Sequence, residues 1–242
     1  MIPTHIGAVL FDLDGVLTPT AEVHMRAWQR MFDEYFTANA VEPPYTEADY
    51  FAYVDGKPRY DGVRACLASR GVVLPEGDPT DPAEAHTVCG LGNKKNELVN
   101  RLLDDEGIVA YPGSVELVDH LAALDVPMAV VSSSRNAPMV LAAAGLADRF
   151  PVVVDGTVAA REGLPGKPSH DTFTYAARLL GVPSSRTAVV EDAISGVAAA
   201  RAGEFGVVVG VDRGAGAQRL MDAGADVVVS DLRELVEEWP AP

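Results

Sequence analysis

Two acids stand one residue apart at the end of an apolar run, Ala8-Val9-Leu10-Phe11-Asp12-Leu13-Asp14-Gly15-Val16. A carboxylate in that setting can serve as a nucleophile, a general acid or base, or a ligand to a hard cation. Two more acids, Glu191-Asp192, follow the run Ala188-Val189-Val190, and a row of hydroxyls, Ser132-Ser133-Ser134, closes Met128-Ala129-Val130-Val131. Lys167 lies in Gly166-Lys167-Pro168, just before a helical stretch. Four gathered carboxylates repel one another unless a hard cation joins them, and an all-oxygen set suits Mg²⁺. A hydroxyl and an ammonium beside that cation would hold an anion such as a phosphoryl group. Taken singly, each feature is ordinary: an Asp-Gly turn, a Ser-rich turn, a Gly-Lys-Pro loop and a solvated helix start. The acids lack the spacing of an EF-hand loop. Lys167 lacks the glycine spacing and the following Ser or Thr of a Walker A lysine. What makes them a set is their order along the chain.

For the set to converge, the apolar runs must be strands of one sheet. Runs of about four apolar residues suit strands buried on both faces. Further runs occur at 152–154, 207–209 and 227–229. Between them fall a helix carrying Leu117, Leu121 and Leu124, one from Asn136 and Pro138 to Gly145, and one over 169–180 closed by Gly181. A small-residue helix ends near Gly203, and a last one is capped by Asp231 with Glu234 three residues on. This alternation predicts an α/β fold, a doubly wound parallel sheet, whose strands end on one shared edge. The first strand is separated from the others by a long block without strands. A helix starts near Thr20 with Trp28, Met31, Phe32 and Tyr35 on one stripe. Residues 37–60 read as irregular, and Asp61 as the N-cap of a helix ending at Gly71. A Pro-rich loop follows over 72–84, and then a helix from about 93 to 105. The predicted organisation is a core of 1–19 and 107–242 with a helical module, 20–106, inserted.

The chain has 242 residues, 48% hydrophobic and 22% charged, enough for a real core. Its net charge of −16 argues against a nucleic-acid partner, and no apolar stretch is long enough to span a membrane. Cys66 and Cys89 make no disulfide framework, and Met1-Ile2-Pro3-Thr4-His5 has no basic leader. A cytoplasmic protein with free thiols is expected. The expected partner is a small phosphorylated molecule, and the expected state a monomer or weak homo-oligomer.

The ordered set Asp12-Leu13-Asp14-Gly15-Val16, Val131-Ser132, Gly166-Lys167-Pro168 and Val190-Glu191-Asp192 resembles the four motifs of the haloacid dehalogenase superfamily. The likeness covers the core, about two thirds of the chain. It implies that Asp12 attacks phosphorus and becomes an aspartyl phosphate, with Asp14 as general acid and base. Ser132 and Lys167 would hold the transferring group, and Asp12, the main-chain carbonyl of Asp14, Glu191 and Asp192 would surround Mg²⁺. The helical insert resembles the α-helical cap of the β-phosphoglucomutase-like branch, through Thr20-Ala21-Glu22-Val23-His24, Arg26-Ala27-Trp28, Gly56-Lys57-Pro58-Arg59 and Lys95-Asn96. Ser132-Ser133-Ser134-Arg135-Asn136 is similar to that branch's second motif with its flanking phosphate contacts. The resemblance implies that His24 and Lys95 couple cap closure to Asp14, and that Arg59, Ser134 and Asn136 hold a non-reacting phosphate. Thr20, Trp28, Ser133 and Arg135 would line the sugar-phosphate site, although Trp28 also belongs to an apolar stripe.

The implied activity interconverts β-D-glucose 1-phosphate and glucose 6-phosphate through the 1,6-bisphosphate. A sugar-phosphate phosphatase shares most of these features. A non-catalytic phosphosugar-binding module is the reading of another class, and the intact acid and lysine set weighs against it. The chain departs from the pattern at Pro19, where the family commonly has Asp, and in longer stretches at 37–60 and 75–82.

Overall fold

Valine-rich runs dominate the middle of the fold, as branched side chains pack well on a pleated, buried surface. In the computed structural model, which describes residues 2–239, they form β1 (Ala8–Phe11), β2 (Met128–Val131), β3 (Val152–Val154), β4 (Thr187–Glu191), β5 (Val207–Val211) and β6 (Val227–Val229). Every pairing is parallel, in the order β3-β2-β1-β4-β5-β6. The chain steps outward from β1 to β3, then returns to the other side of β1 and steps outward to β6. The strand order therefore reverses at β1, the point where open α/β sheets place their ligands. β1, β2, β4 and β5 are buried along their whole length, whereas β3 and β6 are partly exposed because they form the edges.

Residues up to Pro19 and from Ile108 onward form one compact unit, and Thr20–Gly107 form a second. In the first unit the Asp171–Leu180 helix buries Phe173 completely, edge-on to Phe205 at 6.0 Å. Phe11 of β1 meets Phe150 in the same manner at 6.0 Å. Helices Gly156–Glu162 and Ala217–Ala223 are also present; both are short and show no apolar period in the sequence. The expected last helix is a single 3-10 turn, Leu232–Leu235, although its Asp231–Glu234 capping box forms as read.

The second unit is helical throughout its regular elements. Its first helix, Thr20–Asn39, carries an aromatic ladder: Trp28 stacks on Phe32 at 5.5 Å, and Phe32 on Tyr45 at 4.9 Å. The irregular stretch contains two short helical turns, Glu47–Asp49 and Tyr50–Val54. It is pinned by Arg70, whose guanidinium forks onto both Asp49 oxygens at 2.9 and 2.8 Å and reaches the carbonyls of Pro43 and Pro44.

Two helix starts differ from the sequence expectation. The helix expected from Asp61 begins at Arg59 after Pro58, since proline's fixed φ suits a helix start. Asp61 sits in its first turn and pairs with Arg64 at 2.6 Å. The helix expected near 93 runs over Val88–Glu106, with the Thr87 hydroxyl accepting from Gly90 N at 2.9 Å. Gly90 and Gly92, poor helix formers, hide that earlier start in the sequence.

Candidate active site

The first motif forms a tight loop at the carboxyl end of β1. Asp12 N continues the ladder by donating to Val190 O at 2.9 Å. Gly15 then takes φ 87°, a conformation other residues resist, and its N–H closes the turn on Thr18 O at 2.7 Å. Asp12 is buried, while Asp14, two residues on, is half-buried.

Lys167 is the buried cation of this edge. Its side chain is 1% exposed, and its three donors are taken by Asp12 Oδ1 (2.5 Å), Glu191 Oε1 (2.5 Å) and Val131 O (3.1 Å). The ammonium also lies 4.8 Å from the centre of the Phe173 ring. One lysine thus ties together the ends of β1, β2 and β4, the three strands flanking the reversal of strand order. Burial pushes the Asp12 carboxyl up, opposed by the Lys167 charge and reinforced by Asp14. Burial pushes Glu191 up in the same way, against Lys167 and with Asp12. Burial disfavours the charged form of Lys167, but the two carboxylates outweigh it and hold the ammonium above the ordinary lysine range.

Glu191 was expected among the metal ligands. In the structure both of its oxygens are bound within the protein: Oε1 accepts from Lys167, and Oε2 accepts from Ala193 N at 2.7 Å. Glu191 therefore holds the lysine and the start of the Ile194–Ala202 helix. Gly196 makes room for it, because a Cβ there would overlap the Glu191 carboxylate.

The second motif is built from its own hydroxyls. Ser132 Oγ accepts from Ser134 N and Ser134 Oγ from Asn136 N, each at 3.1 Å. Ser132 Oγ also donates to Asp14 Oδ2 at a long 3.4 Å, which brings the second motif to the first. Ser133, Ser134 and Asn136 are half-buried and Arg135 is exposed. Asp192 is 7% exposed, next to Glu191 at the same strand end.

The donor chemistry of this edge fits Mg²⁺. Its candidate ligands are all oxygens, and the acids Asp12, Asp14, Glu191 and Asp192 outnumber the one lysine buried among them. Burial first, and the Asp14 charge after it, raise the Asp12 carboxyl, and a cation bound beside it would offset both. Among the described residues, no three His, Cys, Asp or Glu side chains group as a metal site. A cation here would accordingly draw on main-chain and ligand oxygens as well.

The helical unit gathers a second set of expected residues. Lys95, 5% exposed on the Val88–Glu106 helix, lies 3.0 Å from His24 Nδ1 and 4.8 Å from the Trp28 ring centre. An ammonium only donates, so Nδ1 accepts and the neutral ring carries its proton on Nε2. Burial, Lys95 and Arg59 together hold His24 well below its ordinary pKa. Trp28 is 3% exposed, stacked on Phe32 and facing Lys95. It is a core platform for the lysine rather than an open surface for a sugar. Thr20 is buried at the first position of its helix, and Arg59 is half-buried.

The supports of the first loop escaped the sequence reading. Ser114 Oγ donates to Val16 O at 2.6 Å, and Arg213 Nε to Gly15 O at 2.9 Å. The available signal was the place of Arg213, two residues beyond β5, whose carboxyl end shares the same edge.

Comparison with known proteins agrees with this geometry. The model of the haloacid dehalogenase-like hydrolase family matches residues 6–203. A β-phosphoglucomutase of Mycobacterium tuberculosis is 49% identical, over 97% of this chain and 93% of its own length. That of Bacillus subtilis is 33% identical, over 96% and 95%. A crystal structure of a CbbY mutant from Rhodobacter sphaeroides, in complex with xylulose 1,5-bisphosphate, aligns with a TM-score of 0.73 and 25% identity. That alignment covers 95% of this chain and 96% of the other. Among the described residues, no helix is long and apolar enough to cross a membrane.

Proposed function

Because the chain belongs to the haloacid dehalogenase superfamily, in its β-phosphoglucomutase-like branch, it is an enzyme, and we propose that it interconverts β-D-glucose 1-phosphate and glucose 6-phosphate. The route is an aspartyl phosphate on Asp12, with the 1,6-bisphosphate as intermediate. The observation that carries this reading is the buried Asp12–Lys167–Glu191 set at the reversal of strand order, with Asp14 on the same loop.

Lys167 fixes one Asp12 oxygen and leaves the other to attack phosphorus. As the Asp12 O–P bond forms, the P–O bond to the sugar breaks, and Asp14 gives its proton to the departing oxygen. In the return step a hydroxyl at the other end of the sugar attacks the aspartyl phosphate and passes its proton to Asp14. Asp12, Asp192 and the Asp14 carbonyl would hold Mg²⁺, with Glu191 beside them; when bound, the ion supplies positive charge that lets two anions meet. Ser132 and Lys167 would steady the moving group.

Residues 20–107 would act as the specificity unit and the remainder as the phosphotransferase. Arg59, Lys95, His24 and Thr20 from the helical unit would contact the sugar phosphate, as would Ser133, Ser134, Arg135 and Asn136 from the core. Arg59, Ser134 and Asn136 suit the phosphate that does not react. The protein would work in the cytoplasm as a monomer or weak homo-oligomer, without nucleic acid or membrane.

The test is product analysis on β-D-glucose 1-phosphate with Mg²⁺ and a trace of the 1,6-bisphosphate. Glucose 6-phosphate formed without matching phosphate release is expected. Glucose and inorganic phosphate instead would make the enzyme a phosphatase, the reading favoured by the hydrolase character of the matching family. Neither product would overturn the choice of sugar.

A further inference from the structure

We propose that Arg213 is a positioning residue for phosphoryl transfer, holding the Asp14–Thr18 loop so that the Asp14 carboxyl stays placed for proton transfer. This rests on the reading of Asp14 as general acid and base. Asp14 is followed by Gly15, the residue least able to fix its own torsions. The loop therefore depends on what binds its peptide groups. Three successive carbonyls are each held from outside it. Gly15 O accepts from Arg213 Nε at 2.9 Å, Val16 O from Ser114 Oγ at 2.6 Å, and Leu17 O from Tyr111 N at 3.0 Å. Leu13 O, just before the loop, accepts from Leu17 N at 3.0 Å and from Thr18 N at 3.1 Å, and within it Gly15 N donates to Thr18 O at 2.7 Å.

Arg213 is the part of this clamp that joins separate strand ends. Its Nη1 donates to Ser230 O, just past β6, at 2.9 Å, and its guanidinium carbon lies 4.0 Å from the centre of the Tyr111 ring. Tyr111 thus holds Leu17 O with its main chain and carries Arg213 on its ring. The planar fork spans two carbonyls and an aromatic face at once, which a lysine cannot do. The half-buried guanidinium reaches Gly15, the residue adjacent to Asp14.

The distinguishing property is that Asp14 is needed only where a proton must move. Phosphorylation of Asp12 by acetyl phosphate releases acetate, which leaves without a proton. Transfer from the aspartyl phosphate to a hydroxyl of β-glucose 1-phosphate requires a base. Both steps can be timed by rapid quench in wild type, Arg213→Met, Arg213→Lys and Asp14→Asn, with Mg²⁺ present. A displaced reacting group costs up to about 100-fold, so Arg213→Met should slow transfer to the sugar by roughly 10- to 100-fold while labelling from acetyl phosphate stays near wild type. Arg213→Lys, which can still reach one carbonyl, should recover part of the loss and serves in its place should the methionine variant melt early. Equal slowing of both steps, or of neither, in both Arg213 variants would overturn the proposal. Asp14→Asn should show the same split. A split in Asp14→Asn alone removes the role of Arg213 and leaves that of Asp14. No split in Asp14→Asn would bring down the reading of Asp14 and this proposal with it.

Discussion

Replacing Lys167 with methionine keeps most of the side-chain volume and removes the ammonium that binds Asp12, Glu191 and Val131 O. Removing one partner of a buried ion pair costs about 3–5 kcal/mol, because the remaining charge is left uncompensated. Here two carboxylates are left behind, one fully buried and the other nearly so. Each can recover part of the cost by binding a proton, since burial already pushes Asp12 up to about 6 and Glu191 up to about 7. At pH 8 without divalent cations, the expected loss is about 4 kcal/mol, or a melting temperature lower by roughly 10 °C in a chain of this size.

The pH dependence has a defined sign. Without Lys167 both folded-state carboxyls rise further above their unfolded values near 4. The folded protein then holds protons that the unfolded chain has released, so its stability falls as pH rises through that window. The deficit of the variant should therefore be small at pH 5 and widen towards pH 8. Thermal unfolding followed by circular dichroism in EDTA measures both. A variant as stable as wild type, or a deficit that does not change with pH, would refute the assignment of Lys167 as the charge balancing these two acids.

His24 should stay neutral throughout the neutral pH range in NMR titration. Lys95→Met should raise its pKa by removing the repulsion of an ammonium 3.0 Å from the ring, and an unchanged titration would contradict the pairing. Arg59→Ala should raise the KM for β-glucose 1-phosphate by about 10-fold or more and leave the Mg²⁺ requirement alone; equal effects on both would count against a phosphate role. Asp49→Ala leaves Arg70, whose side chain is 3% exposed, without its carboxylate, and should lower stability in urea titration by about 3 kcal/mol. Arg70 holds the Asp49 carboxyl below the usual range. That pair's contribution is therefore complete at neutral pH and fades as pH drops through the depressed value, a dependence that Asp49→Asn should abolish.

The sheet was legible because its strands are built on apolar runs and two of the chemical groups follow such a run directly, as Asp12 follows Phe11 and Ser132 follows Val131. Long-range ties were not legible. The resemblance already set the Lys167 charge against Asp12, but nothing in the sequence around Lys167 says that its other donors bind Glu191 and Val131 O. Nor does anything near Arg213 announce Gly15, almost two hundred residues earlier. For Glu191 the sequence shows an acid at a strand end, and its bonds to Lys167 and to the Ala193 N–H were not legible there. Trp28 could be read as core or platform until its stacking on Phe32 and its contact with Lys95 were seen. The stretch at 37–60 looked irregular because its order comes from Arg70, in the turn after the Arg59–Ala68 helix, not from a local period.

The central claim is that Asp12 carries the phosphoryl group from one sugar position to the other. Enzyme with Mg²⁺ can be given β-glucose 1,6-bisphosphate bearing radiolabelled phosphate, quenched, and mapped by peptide mass spectrometry, then chased with unlabelled β-glucose 1-phosphate. The account predicts label on Asp12, none in Asp12→Asn, and its passage on chase into the bisphosphate and glucose 6-phosphate. Label on another residue, label retained by Asp12→Asn, or label released as inorganic phosphate faster than it reaches sugar would contradict it.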